Sequence, residues 1–101
     1  MSLPPERLTE PEIRAALADL PGWSLQDGKL QRRFEFSDFV EAFGFMSAAA
    51  LCAERTNHHP DWRNAYRKVW VELVTHERNG VTALDLSLAA EMSRLALGRA
   101  T

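Results

Sequence analysis

A chain of 101 residues and 11.4 kDa has room for one domain. Its 12 Lys and Arg against 14 Asp and Glu leave a formal charge of −2, without the clustered basic excess that a nucleic-acid surface needs. Hydrophobic residues make up 46%, enough for a core, and the single cysteine, Cys52, excludes an internal disulfide framework or a thiolate metal cluster.

Residues 1–8 hold two prolines and no periodicity, so they read as a tail, leaving 9–101 as a single domain. Thr9 followed by Glu12 has the spacing of a capping box, with Pro11 tolerated in the first turn. It predicts a helix to about Leu20 on a stripe of Ile13, Ala16, Leu17 and Leu20, stopped by Pro21-Gly22. A short strand from Trp23 to Leu25, a tight turn at Asp27-Gly28 and a strand from Lys29 to Phe36 make a hairpin. On the second strand Leu30, Arg32, Phe34 and Phe36 alternate with Gln31, Arg33 and Glu35, so Arg32 interrupts an apolar face.

Ser37 is expected to cap a long helix from Asp38 to about Asn57. At ~100° per residue, Phe39, Phe43, Met46, Ala50 and Ala53 form one stripe, while Phe45, Ala49 and Cys52 lie nearly opposite. A helix apolar on two sides needs cover on two sides. One stripe should meet the sheet and the other a second subunit, unless Phe45 and Cys52 pack under the N-terminal helix. Asp61 to Tyr66 then predicts a strand, Arg67-Lys68 a turn, and Val69 to Thr75 a strand with Val69, Val71, Leu73 and Thr75 on one face. After a break at Asn79-Gly80, Thr82 caps a last helix that carries Leu84, Leu88, Met92 and Leu95 and ends near Gly98. The order α-β-β-α-β-β-α predicts an α+β fold, an antiparallel sheet with helices on one face. No apolar run approaches the ~20 residues of a membrane span, and residues 1–10 lack the layout of a signal peptide, so a soluble cytoplasmic protein is expected.

The chemistry-bearing residues gather in one stretch. His58 and His59 end the long helix, His76 ends the last strand, and Glu54, Asn57, Pro60, Asp61, Trp62, Thr75, Glu77 and Asp85 lie around them. Element ends hold a side chain rigidly while it still reaches solvent. Glu54 precedes His58 by four residues, so the two are expected to share a helix face and pair. Pro60 biases His59 away from helical geometry. Zinc fits this spacing poorly, because adjacent helical residues diverge by ~100° where metal ligands converge, so no metal is expected. Imidazoles that titrate near neutrality suit acid/base work instead, such as an elimination in which a hydroxyl leaves protonated and a neighbouring N–H gives up its proton. Each feature also has a plainer reading. His-His-Pro can simply close a helix, Thr82 to Asp85 can simply open one, and Trp23, Trp62 and Cys52 can simply pack.

Taken together, Glu54, His58-His59-Pro60, Trp62, Tyr66, Val69, Leu73, Thr75-His76, Gly80, Thr82 and Asp85 resemble the pterin-4a-carbinolamine dehydratases. The Trp23 segment, the aromatic second strand and the long helix extend the resemblance over most of the chain. The resemblance implies a four-stranded antiparallel sheet with helices on one side, and dimers or tetramers built through the long helix and sheet edges. It implies dehydration of 4a-hydroxytetrahydropterin to quinonoid dihydropterin, recycling the pterin of aromatic amino acid hydroxylases, with pterin as substrate and no bound cofactor. It carries His58, His59 and His76 over as catalytic, the first and last for proton transfer and His59 for orienting the pterin. Asn57, Pro60, Trp62, Thr75 and Glu77 would bind substrate, with Glu54 and Asp85 in support. Trp70 is bulkier than the polar residue expected on its strand face. Some relatives act as partner-binding or assembly proteins, so a non-catalytic role for the long helix is the alternative.

Overall fold

Three helices and four strands follow one another as α-β-β-α-β-β-α in a computed structural model that describes residues 3–100. The first two residues of the expected tail lie outside the described residues. The helices are α1 (Glu10–Leu17), α2 (Phe39–Arg55) and α3 (Ala83–Ala96). The strands are β1 (Ser24–Gln26), β2 (Lys29–Glu35), β3 (Asp61–Ala65) and β4 (Lys68–Leu73), with a single 3-10 turn at His76–Arg78.

Local chemistry sets most of these bounds. Thr9 and Glu12 close the capping box of α1. The helix ends at Leu17, three residues early, but i→i−3 bonds at Ala18, Asp19 and Leu20 carry the chain on so that Leu20 is still buried. Asp38, not Ser37, caps α2, its carboxylate accepting from the Glu41 N–H at 2.8 Å. Asp27 and Gly28 both take left-handed backbone, φ 52° and 75°, as a two-residue hairpin with native twist requires. The second hairpin turns at Tyr66-Arg67, one residue before the expected pair, because Asn64 Nδ2 donates to the carbonyls of Tyr66 and Lys68 and holds the chain there.

The sheet is antiparallel throughout, in the order β1-β2-β4-β3. Its inner face carries Leu30, Phe34, Val69, Val71 and Leu73, covered by α2 and α3. Phe45 lies at the centre of that core, its ring 4.7 Å from Phe34 and 5.0 Å from Phe36. The buried stripe of α2 is therefore Ala42, Phe45, Ala49 and Ala53, and the outward one holds Phe39, Val40, Phe43 and Leu51, with Val40 75% exposed. This corrects two expectations: Phe45 cannot serve a partner surface, and Ala53 belongs to its stripe rather than to that of Phe39. Arg32 fits the inner side by lying 4.2 Å over the Phe34 ring and donating to the Pro21 carbonyl and Ser93 Oγ.

The N-terminal segment is tied down. The Leu8 N–H donates to the Val81 carbonyl at 2.8 Å, and Arg78 donates to the carbonyls of Pro4 and Pro5 at 2.7 and 3.1 Å. Those bonds anchor the loop that follows β4, where the third histidine sits.

Candidate active site

The end of α2 builds the first wall. Asn57 takes left-handed backbone at φ 52°, so its N–H reaches the Glu54 carbonyl at 3.1 Å and the His58 N–H reaches Ala53 at 3.0 Å. That is a Schellman closure with asparagine in the usual glycine position. It swings His58 off the helix surface and into the protein, where it is 8% exposed. The expected Glu54–His58 pair does not form, because an i,i+4 pair needs the helix to continue past Arg55. Glu54 instead meets His59, Oε1 to Nε2 at 2.8 Å, on the exposed rim.

His58 finds a different acid. Its Nε2 lies 2.6 Å from Asp85 Oδ1, and Asp85 is fully buried. The other carboxylate oxygen accepts from Thr75 Oγ1 at 2.8 Å and from the Thr82 N–H at 2.9 Å, while the two threonine hydroxyls meet at 2.7 Å. Every oxygen of the buried acid is thus engaged, which is the condition for a polar network to persist in an interior. An acceptor at Nε2 requires the proton on that nitrogen, so Nδ1 of His58 is the one available to exchange protons.

The third histidine comes from the turn after β4. His76 Nε2 lies 3.3 Å from Asp61 Oδ2 at the start of β3. A cavity of about 240 Å³ is lined by Asn57, His58, His59, Pro60, Asp61, Val74, His76 and Glu77. All three imidazoles therefore border one space, each with its own carboxylate. Among the described residues, no group of three or more His, Cys, Asp or Glu side chains is gathered as a metal ion would need.

The remaining sequence candidates divide. Asn57, Pro60 and Glu77 line the cavity. Thr75 and Asp85 lie behind it, Asp85 bonded to both His58 and Thr75, and Glu54 is bonded to His59. Trp62 is not in the cavity wall: its strand register sets it opposite Val71, and it packs against the core. Asp61 and Val74 were given no role from sequence. The signal for Asp61 is the strand-turn-strand pattern itself, because a hairpin that starts at Asp61 returns its second strand beside it, four residues before His76.

Residues 6–95 match the pterin 4 alpha carbinolamine dehydratase family. The chain belongs to that family. The family's provisionally named members in Solibacter usitatus and Rhodopseudomonas palustris are 48% and 52% identical over 92 and 93 residues. Those matches cover 91% and 90% of this chain and 97% and 92% of the relatives. A crystal structure of a transcriptional coactivator/pterin dehydratase from Brucella melitensis superposes with a TM-score of 0.87 at 52% identity, over 90% of this chain and 99% of that one. Membership and the relatives' names support dehydratase activity on a pterin carbinolamine, a lyase reaction, and the α+β fold is the one this family member shows.

Proposed function

We propose that the chain dehydrates 4a-hydroxytetrahydropterin by histidine acid/base catalysis, with no metal or cofactor of its own. The observation that carries the reading is the three imidazoles on one cavity, one of them fixed by a buried carboxylate. In the reaction the C4a–O bond breaks and the oxygen leaves as water with a proton taken from one imidazole. The neighbouring ring N–H gives its proton to another imidazole, and its electron pair forms the new C=N bond. His58 and His76 carry these transfers. Asp85 holds His58 in the Nε2–H tautomer, so that Nδ1 faces the work, and Asp61 orients His76. His59, held by Glu54 on the rim, orients the bound ring, and Asn57, Pro60 and Glu77 complete the wall. In a cell this activity recycles the pterin of an aromatic amino acid hydroxylase in the cytoplasm.

The test is a rate assay on chemically generated 4a-hydroxytetrahydropterin. Wild type should exceed the spontaneous rate, and His58→Ala and His76→Ala should each lose about 100-fold. A wild-type rate equal to the spontaneous one ends the proposal.

The outward face of α2 supports a second role for the same chain as a dimer or tetramer, since Phe39, Val40, Phe43 and Leu51 together leave a large apolar surface uncovered. Phe43→Glu should lower the light-scattering mass to that of one chain. A partner-binding role without catalysis would instead survive loss of the histidines.

A further inference from the structure

A larger groove lies beside the cavity at the histidines. Asp61 borders both that cavity and a groove of about 600 Å³ on the sheet face away from the helices. The histidine cavity, at about 240 Å³, falls below the roughly 300–1,000 Å³ of small-molecule sites, and the groove falls within it. Asp61 is the shared border across which the C6 substituent of a pterin ring seated among the imidazoles would reach the groove.

Strand register says what the substituent meets there. Cross-strand partners point to the same face, so Gln31, Glu72 and Asp61 form one row and Arg33, Trp70 and Arg63 the next. Successive residues on one face are about 7 Å apart along a strand, so the second row is within reach of a short substituent. The acids of the first row are engaged. Glu72 accepts from Gln31 Nε2 at 3.0 Å and pairs with Lys29 at 3.6 Å, while Asp61 is with His76. In the second row the Arg63 guanidinium lies 3.8 Å over the Trp70 ring. Among the described residues it has no carboxylate or carbonyl partner, whereas Arg33 pairs with Glu35 at 3.5 Å. Stacking occupies the flat face of a guanidinium and leaves its in-plane N–H fork open, in the geometry that receives a carboxylate or phosphate. The unexpected bulk of Trp70 thus has a use: it fixes Arg63.

We infer that Arg63, held on Trp70, is a specificity-determining residue that receives an anionic group on the C6 substituent of the pterin substrate. This rests on the dehydratase reading for the ring itself.

Calorimetric titration of the full chain with three dihydropterins tests it: 6-methyl-dihydropterin, dihydroneopterin monophosphate and dihydrofolate. Both anionic probes should bind about tenfold more tightly than the methyl compound, and added salt should shrink the difference. The tighter of the two identifies phosphate or carboxylate as the preferred group. Arg63→Gln should remove the preference while leaving the methyl compound unchanged, and in turnover should raise KM for anionic substrates alone with kcat intact. Equal affinities for all three in wild type, or a loss in Arg63→Gln that is the same for all three, overturns the inference. Binding of the methyl compound without rate acceleration ends the dehydratase reading and leaves the subsite to stand on the affinity ratio. Failure of all three to bind overturns both.

Discussion

Helices α1 and α3 open on the same device, a threonine N-cap with an acid three residues on, and both close the reciprocal bonds. Glu12 accepts from the Thr9 N–H at 2.8 Å, and Asp85 accepts from the Thr82 N–H at 2.9 Å. The surroundings separate them. Thr9 and Glu12 are exposed, and water can take over any bond they lose. Thr82 and Asp85 are both fully buried, so the lone pairs that the cap leaves over must be filled by the protein. They are filled by Thr75, ten residues before Asp85, and by His58, 27 residues before it. Burial turns a local cap into a long-range positioning device for an imidazole.

The comparison breaks most sharply at Asp85→Asn. The amide can still accept from Thr75 and Thr82 through its oxygen, but it then turns an N–H toward His58 Nε2 and forces the proton onto Nδ1. Dehydration should fall by about 100-fold or more, because the nitrogen that faces the substrate is in the wrong form. Stability should fall by about 1–3 kcal/mol in urea denaturation. Nitrogen NMR of the His58 ring checks the tautomer directly. An unchanged rate would reduce Asp85 to a cap like Glu12.

Thr75→Val comes next. The shape is nearly kept, but Asp85 Oδ2 loses a donor and the Thr82 hydroxyl its partner. Stability should drop by about 1–2 kcal/mol and the rate by about tenfold, measured side by side in denaturation and turnover.

The same contrast explains what the sequence could disclose. Both capping boxes were legible, because a cap is a four-residue motif with fixed spacing. So were the hairpin at Asp27-Gly28, the helix-strand order and the polar cluster at the histidines. The pairing inside that cluster was not. Glu54 looked like the partner of His58 because four residues make a helix neighbour, and a single left-handed residue, Asn57, cancelled that geometry. Asp85 reaches His58 through tertiary packing, to which no local spacing points, whereas Asp61 reaches His76 by the register of a hairpin whose strands were legible but whose exact turn was not. The buried stripe of α2 was ambiguous for a related reason. Two apolar stripes on one helix are equal until the sheet chooses one, and it chose that of Phe45.

On the exposed side of the comparison, Thr9→Ala should cost about 1 kcal/mol, the usual value of an N-cap, with no change in the dehydration rate. Shifted denaturation midpoints with unaltered kcat and KM would place α1 outside the chemistry. A lowered kcat would mean that the start of α1 positions the site through the Leu8–Val81 bond beside Thr82.

The smallest effect belongs to Glu12, and its sign can be worked out. The Thr9 N–H, and after it the Thr9 hydroxyl, hold the Glu12 carboxyl below its ordinary value. A carboxylate depressed in the folded state binds its proton more readily when unfolded. Its contribution is therefore complete above the unfolded value and is lost as pH falls through the folded one. Because the side chain is fully solvent-exposed, salt and water screen the effect. Glu12→Gln retains a capping-box acceptor, so at neutral pH it should match wild type in thermal denaturation. In acid, wild type should lose this part of its stability while Glu12→Gln does not, so the two melting temperatures should separate as pH falls, with Glu12→Gln the higher. Parallel curves over the whole range would show that the reciprocal bond at Glu12 is geometrically present and energetically idle.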